Sequence, residues 1–151
     1  MRSDPDVARY QNWTTYTEAD ARQRLESLAH GNPGDPGWFQ FALEERATSR
    51  FIGDCGLRII ETDGRLAQIG YTIERADWNQ GYATEIIRAL TGYAFGTFPI
   101  HRITASVDPE NTGSCRALEK AGYRREALFR QSEWFKGRWA DDAIYARLRG
   151  D

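Results

Sequence analysis

Between Ile69 and Ala94 the apolar residues change their period. Ile69, Tyr71 and Ile73 recur at every second position, whereas Ile86, Ile87, Leu90, Tyr93 and Ala94 recur at helical spacing. The break between them holds Asn79-Gln80-Gly81-Tyr82, a glycine loop that opens the helix. A strand that passes through such a loop into a helix predicts a sheet with helices packed on it. The first N–H groups of a helix have no partner inside it, and the helix dipole adds positive potential, so a glycine there lets an anion reach the backbone. Gly81 and Ala83 supply that access, with the N–H groups of Gln80 to Thr84 as donors. The plain alternative is a tight turn with nothing bound. The loop has neither the GxxxxGK[ST] nor the GxGxxG pattern, so a phosphate here would be held by another kind of loop.

The rest of the chain supplies the other layers. Thr17-Glu18-Ala19-Asp20 begins a helix with a capping box, followed by Ala21, Leu25, Leu28 and Ala29 at helical spacing. Strands are predicted at Trp38–Leu43, Phe51–Ile60 and Ile69–Ile73, with Asp63-Gly64 as a hairpin signal between the second and third. After the helix from about Ala83 to Gly96 come a strand, His101–Val107, and a short helix, Thr112–Ala121, with Gly122 at its end. Two last strands, about Tyr123–Glu133 and Asp142–Leu148, flank a turn near Lys136-Gly137. No repeat, linker or low-complexity tract divides the chain, so residues 1–151 are expected to form one α/β domain.

Composition excludes several partners. With 40% apolar residues the chain can bury a core, and a net charge of −2 without a basic run speaks against nucleic acid. No apolar run approaches the ~20 residues that span a bilayer, and the first thirty residues carry no secretory pattern. Cys55 and Cys115 lack metal-ligand spacing, and only two histidines are present, so no metal is expected. Two free thiols suit a cytoplasmic location.

Trp78-Asn79-Gln80-Gly81-Tyr82-Ala83-Thr84-Glu85 resembles the pyrophosphate loop of the GNAT superfamily of N-acetyltransferases. Asp108-Pro109-Glu110-Asn111-Thr112-Gly113-Ser114 and Leu118-Glu119-Lys120-Ala121-Gly122-Tyr123 resemble its second signature. The branch most similar is the RimJ/RimL type, whose pattern also includes Ile69-Gly70-Tyr71 and Gly137-Arg138-Trp139-Ala140-Asp141. The resemblance implies a mixed, mostly antiparallel sheet, flanked by helices and splayed between the strands ending near Ile73 and Val107. It implies acetyl-CoA as co-substrate. The pantetheine arm would lie in the splay on backbone at Thr72, Ile73 and Glu74, and the pyrophosphate on Asn79, Gln80, Gly81, Tyr82, Ala83 and Thr84. Asn111 would reach the cofactor from the far side.

The implied reaction moves an acetyl group to a primary amine, by direct attack in a ternary complex. It needs a neutral amine, a stabilised oxyanion and a stabilised leaving thiolate. Ile73 is the family's position for an N–H near the thioester carbonyl. Many members carry a tyrosine seven residues after the asparagine as the acid, but this chain has Leu118 there. Ser114 matches the RimJ/RimL-type serine, which could hydrogen-bond the sulfur; the alternative is a serine that caps its helix. Glu133 matches a glutamate proposed as base through water; the alternative is a solvated strand residue. Freeing an α-amine of pKa about 7.7–8.0 at neutral pH costs about 1 kcal/mol, against nearly 5 kcal/mol for a lysine amine near 10.4. One carboxylate acting through water suits the first, so a protein N-terminus or a small molecule with a low-pKa amine is favoured as acceptor. Tyr82, Trp134 and Trp139 are candidates for the acceptor wall or the core, and Asp141 and Asp142 for ordering the last turn.

Members of the family begin with an arginine-bearing strand. This chain opens with Met1-Arg2-Ser3-Asp4-Pro5-Asp6-Val7, which resembles the end of the first helix, so the opening strand is expected to be missing. That would leave a sheet edge open, which a homodimer could cover. A competing reading is a non-catalytic acyl-CoA sensor, supported by Leu118 and by this opening.

Overall fold

The computed structural model describes residues 1–151. Six strands form one sheet: β1 (Gly37–Glu44), β2 (Phe51–Ile59), β3 (Leu66–Ile73), β4 (Arg102–Val107), β5 (Arg124–Phe135) and β6 (Arg138–Leu148). Their spatial order is β1-β2-β3-β4-β6-β5. All neighbours are antiparallel except β3 and β4, which run parallel because α3 (Tyr82–Thr97) carries the chain back between them. No strand precedes β1, which lies at one edge.

The core lies between the sheet and α3 together with α4 (Thr112–Lys120). Ile87, Leu90 and Ala94 of α3 and Ala117 and Leu118 of α4 meet Leu57, Ile69, Ile103, Val107 and Tyr145 of the sheet. Each is at most 8% exposed, and fully burying an aliphatic side chain of this size stabilises by roughly 1.5–3 kcal/mol. Tyr93, predicted on the inner stripe, is instead 37% exposed and stacks edge-on against Phe41 and Phe98.

Local chemistry sets the ends. The Thr17 hydroxyl accepts from the Asp20 N–H, and the Asp20 carboxylate accepts from the Thr17 N–H, which starts α2 (Glu18–Leu28). The stripe of α2 does not reach the core: none of its residues is buried. Lys136 and Gly137, both at positive φ (49° and 80°), form a two-residue turn between β5 and β6, which glycine makes easy at its second position. The Asp63-Gly64 signal misses in detail. β2 and β3 are joined by residues 60–65, Gly64 is not left-handed, and the Asp63 carboxylate holds the loop by accepting from the Arg65 N–H and guanidinium. The last two strands are longer than predicted. A short helix, α1 (Pro5–Ala8), falls in the opening stretch that resembles the end of the family's first helix, and a 3-10 turn at Arg75–Asp77 is additional.

The feature that positions the site is where β3 and β4 part. They pair only at Leu66, Ala67 and Gln68 against Arg102, Ile103 and Thr104. Beyond that β3 continues to Ile73 against β2 alone, and β4 continues to Val107 against β6 alone. The sheet is split on the side of the glycine loop.

Candidate active site

The split opens into a cleft of about 920 Å³, within the range of small-molecule sites. Its walls come from β3, the loop and first turn of α3, the end of β4, the first turn of α4, the end of the β5–β6 hairpin and the segment Asp6–Gln11.

Ladder geometry decides which amides face the split. Glu74 N–H donates to Ile52 O, and partners of this kind recur at every second residue of an antiparallel pair. Thr72 therefore turns its amide to β2, while Tyr71 and Ile73 turn theirs into the split. The Ile73 carbonyl accepts from the Trp78 indole N–H at 2.9 Å, and its N–H faces the cleft. Glu74 departs from the expectation. Its N–H is committed to Ile52, its carbonyl to Asp77 N–H, and it is not on the cleft wall.

At the head of α3, Asn79 (φ 60°) and Gly81 (φ 83°) are left-handed, and the first helical bond runs from Glu85 N–H to Gly81 O. The N–H groups of Tyr82, Ala83 and Thr84 are thus without backbone acceptors, on residues that line the cleft. A Cβ built on Gly81 would meet no atom within 4 Å, so the space beside these donors is open. Gln80 is off the wall, its side chain donating to Ala76 O. The Tyr82 ring lines the cleft, with its hydroxyl on Glu45 at 3.1 Å.

The loop is clamped from behind. Arg50 donates to both oxygens of Asp77, at 3.0 and 2.6 Å, and Asp77 is only 3% exposed. The guanidinium holds the Asp77 carboxyl below the usual carboxylate range. A depressed folded pKa gives stability that is present above the unfolded value of about 3.9 and is lost as pH falls through the folded one. Arg50→Leu should therefore lower Tm at neutral pH, flatten the loss of stability below about pH 4, and weaken acetyl-CoA binding roughly tenfold through a loosened loop. Thermal scans against pH and calorimetric titration would check this; unchanged values in both would remove the clamp.

On the far wall Asn111 caps α4, its Oδ1 accepting from the Ser114 N–H at 3.3 Å. Ser114 is therefore not the cap. Its hydroxyl lies 2.5 Å from that of Tyr71, which reaches across from β3. Leu118, at the position of the family's tyrosine, is 1% exposed and offers no proton.

Glu133 is exposed on β5 and lines the cleft. Just before it the pairing slips: Phe129 faces Asp142 but Glu133 faces Ala140, and Gln131 sits at φ 47° with its N–H donating to Asp141. Asp142 accepts from Ser106 Oγ, whereas Asp108 and Glu110 pair with Arg138. Glu133, Asp141 and Asp142 have no cationic partner. Trp134 and Trp139 stack on each other at 5.3 Å and lie off the wall.

Sequence reasoning missed the strap formed by the first sixteen residues. It reaches one side of the split through Arg2–Asp54 and Arg75–Asp6, and the other through the Tyr10 hydroxyl on Glu110 O and the Lys136 ammonium on Ala8 O and Trp13 O. Pro5 after the capping Asp4 was its one local signal.

Residues 1–124 match the family described as “Acetyltransferase (GNAT) domain”. The chain is 31% identical over 147 residues to “Uncharacterized N-acetyltransferase p20” of Bacillus licheniformis, covering 97% of this chain and 83% of that protein. The GNAT-family acetyltransferase of Bacillus anthracis superposes with a TM-score of 0.86 at 29% identity, over 99% of this chain and 85% of that one. The chain belongs to the GNAT acetyltransferase family. The Vibrio cholerae spermidine N-acetyltransferase, solved with CoA and spermine, shares the fold with a TM-score of 0.83 at 20% identity, over 99% of this chain and 86% of that one.

This GNAT chain is an acetyl-CoA-dependent acetyltransferase that acts on amines. The cleft fits its co-substrate. Free amides beside an open space at Gly81 suit a diphosphate, and unpaired strand edges suit an arm bearing amide groups. No group of three or more His, Cys, Asp or Glu side chains could hold a metal ion, and no helix is long and apolar enough to cross a membrane.

Proposed function

We propose that residues 1–151 form one RimJ/RimL-type N-acetyltransferase domain whose acceptor is a primary amine, on a small molecule or a protein N-terminus. The observation that carries this reading is the polarity of the cleft. Unpaired helix amides line the cleft at the head of α3, and the carboxylates of Glu133, Asp141 and Asp142, free of cationic partners, line it from the β5–β6 hairpin. The first suits a diphosphate and the second an amine that arrives as a cation.

In this reading Asn79 and the head of α3 from Gly81 to Thr84 hold the pyrophosphate, and Ile73 and Asn111 hold the acyl-bearing arm from the two sides of the split. Acetyl-CoA supplies an activated acetyl group. Glu133 takes the ammonium proton through a water, which frees the nitrogen to attack the acetyl carbon. The Ile73 N–H stabilises the carbonyl oxygen as charge builds there. Ser114 donates a hydrogen bond to the sulfur as the C–S bond breaks. After the C–N bond forms the nitrogen sheds its second proton to solvent, the departed thiolate takes one up from solvent, and the products are the N-acetylated amine and the free thiol.

A cytoplasmic location agrees with the two unpaired thiols. A second copy could pair along the β1 edge, and light scattering reads that directly. The acceptor is tested by thiol release with acetyl-CoA and a panel of peptides with free N-termini, polyamines and amino sugars. The spermine in the Vibrio cholerae structure makes polyamines one arm of that panel. Turnover on one class identifies the acceptor; CoA binding without turnover on any amine would overturn the reading.

A further inference from the structure

Tyr71 has a place in the cleft that neither its strand position nor the roles assigned above explain. Its ring packs against the core, and its hydroxyl meets the Ser114 hydroxyl at 2.5 Å. This is the one side chain-to-side chain hydrogen bond that joins β3 to α4, and it spans 43 residues of sequence. Both residues line the cleft, and Leu118, one helical turn beyond Ser114, is apolar and buried.

The direction of the bond follows from acidity. A phenol with a pKa near 10 is a far stronger acid than an aliphatic alcohol, so the tyrosine is the better donor and Ser114 Oγ the acceptor. The Ser114 N–H already donates to Asn111. With its oxygen occupied by Tyr71, the serine hydroxyl has its own proton left to donate, and no protein acceptor takes it. We infer that Tyr71 is a positioning residue for acetyl transfer: by donating to Ser114 Oγ it turns the Ser114 proton toward the thioester sulfur. The two hydroxyls in series then stabilise the leaving thiolate where Leu118 cannot.

This inference rests on the Ser114 role proposed above. Hydrogen bonds in series polarise one another, and a low-dielectric surrounding strengthens them. Burial raises the Tyr71 phenol above its ordinary value, with the Ser114 bond opposing, so it stays protonated and a donor well into alkaline solution. No proton leaves Tyr71. The thiolate is stabilised by donation and takes its proton from solvent on release.

A bond that merely latched β3 to α4 would predict something different. Losing a latch would loosen the cleft and weaken acetyl-CoA binding, without altering a thiol already bound. Tyr71→Phe, Ser114→Ala and the double variant separate the two cases. The readouts are kcat, KM for acetyl-CoA, and the pKa of the enzyme-bound CoA thiol followed by ultraviolet thiolate absorbance. Tyr71→Phe should lower kcat about tenfold, the upper end for one hydrogen bond between neutral groups, with KM nearly unchanged. Ser114→Ala should lose at least as much, and the double variant no more than Ser114→Ala. The bound thiol pKa should rise in all three. Multiplicative losses, a change in KM alone, or an unmoved thiol pKa would overturn the inference. Full activity in Ser114→Ala would also overturn it while leaving acetyl transfer intact. A wild-type protein that turns over no amine would instead remove the proposed function, and the bound-thiol pKa would still decide whether the two hydroxyls act together.

Discussion

Gly81→Val should weaken acetyl-CoA binding roughly a hundred-fold, about 3 kcal/mol, as expected for loss of one or two charge-assisted backbone contacts. Position 81 is where the protein leaves a gap: no atom lies within 4 Å of a Cβ placed there, next to three amides with no backbone acceptor. A side chain begun there has its Cβ in open space rather than against the protein, so its obstruction would fall on the diphosphate. Gly81 is also left-handed at φ 83°, and a β-branched residue forced there costs on the order of 1–3 kcal/mol of folding stability. The two effects have to be separated. Gly81→Asn does so, because asparagine tolerates the left-handed region yet still places a side chain in the gap. Calorimetric titration should show both variants binding weakly, with Tm reduced mainly in the valine protein. Wild-type affinity in both would mean that the diphosphate lies elsewhere. Wild-type affinity in Gly81→Asn alone would assign to Gly81 only a conformational task.

What was legible in the sequence and what was not divide by range. The junction at Gly81 is local: alternation, a glycine and a helical stripe follow one another within about 25 residues, and the structure keeps that order. The split between β3 and β4 is non-local. The alternation of Ile69, Tyr71 and Ile73 is the same whether or not a strand lies alongside, so only resemblance to the family implied it. The strap is still more distant, with Lys136 reaching Ala8 across 128 residues. Tyr71 reads as a core residue by its spacing, and its ring, partly buried, packs against the core. The partner of its hydroxyl depends on where α4 lands, which no local pattern states. The aromatic candidates Trp134 and Trp139 failed for a related reason: a hairpin longer than predicted lets them pack on each other outside the cleft.

Glu133→Gln should lower kcat/KM about a hundred-fold at neutral pH, the low end of what a general base contributes, because the proposed transfer runs through a water. An exposed strand glutamate that lines a cleft has two roles open to it, base for the acceptor or counter-charge to it. The two roles differ in kinetics. A base lost from the reaction lowers kcat and leaves KM near its wild-type value, whereas a lost counter-charge raises KM and spares kcat. The pH dependence reports the acceptor rather than the role. An α-amine titrates near 7.7–8.0, so above about pH 9 it is neutral without help and the gap between variant and wild type should close. With a lysine-like amine near 10.4 the gap should persist through that range. The pH at which the two profiles meet would thus report the pKa of the acceptor that Glu133 serves. Profiles that coincide from pH 6 upward, with KM unchanged, would return Glu133 to the role of a solvated strand residue and pass the proton to solvent.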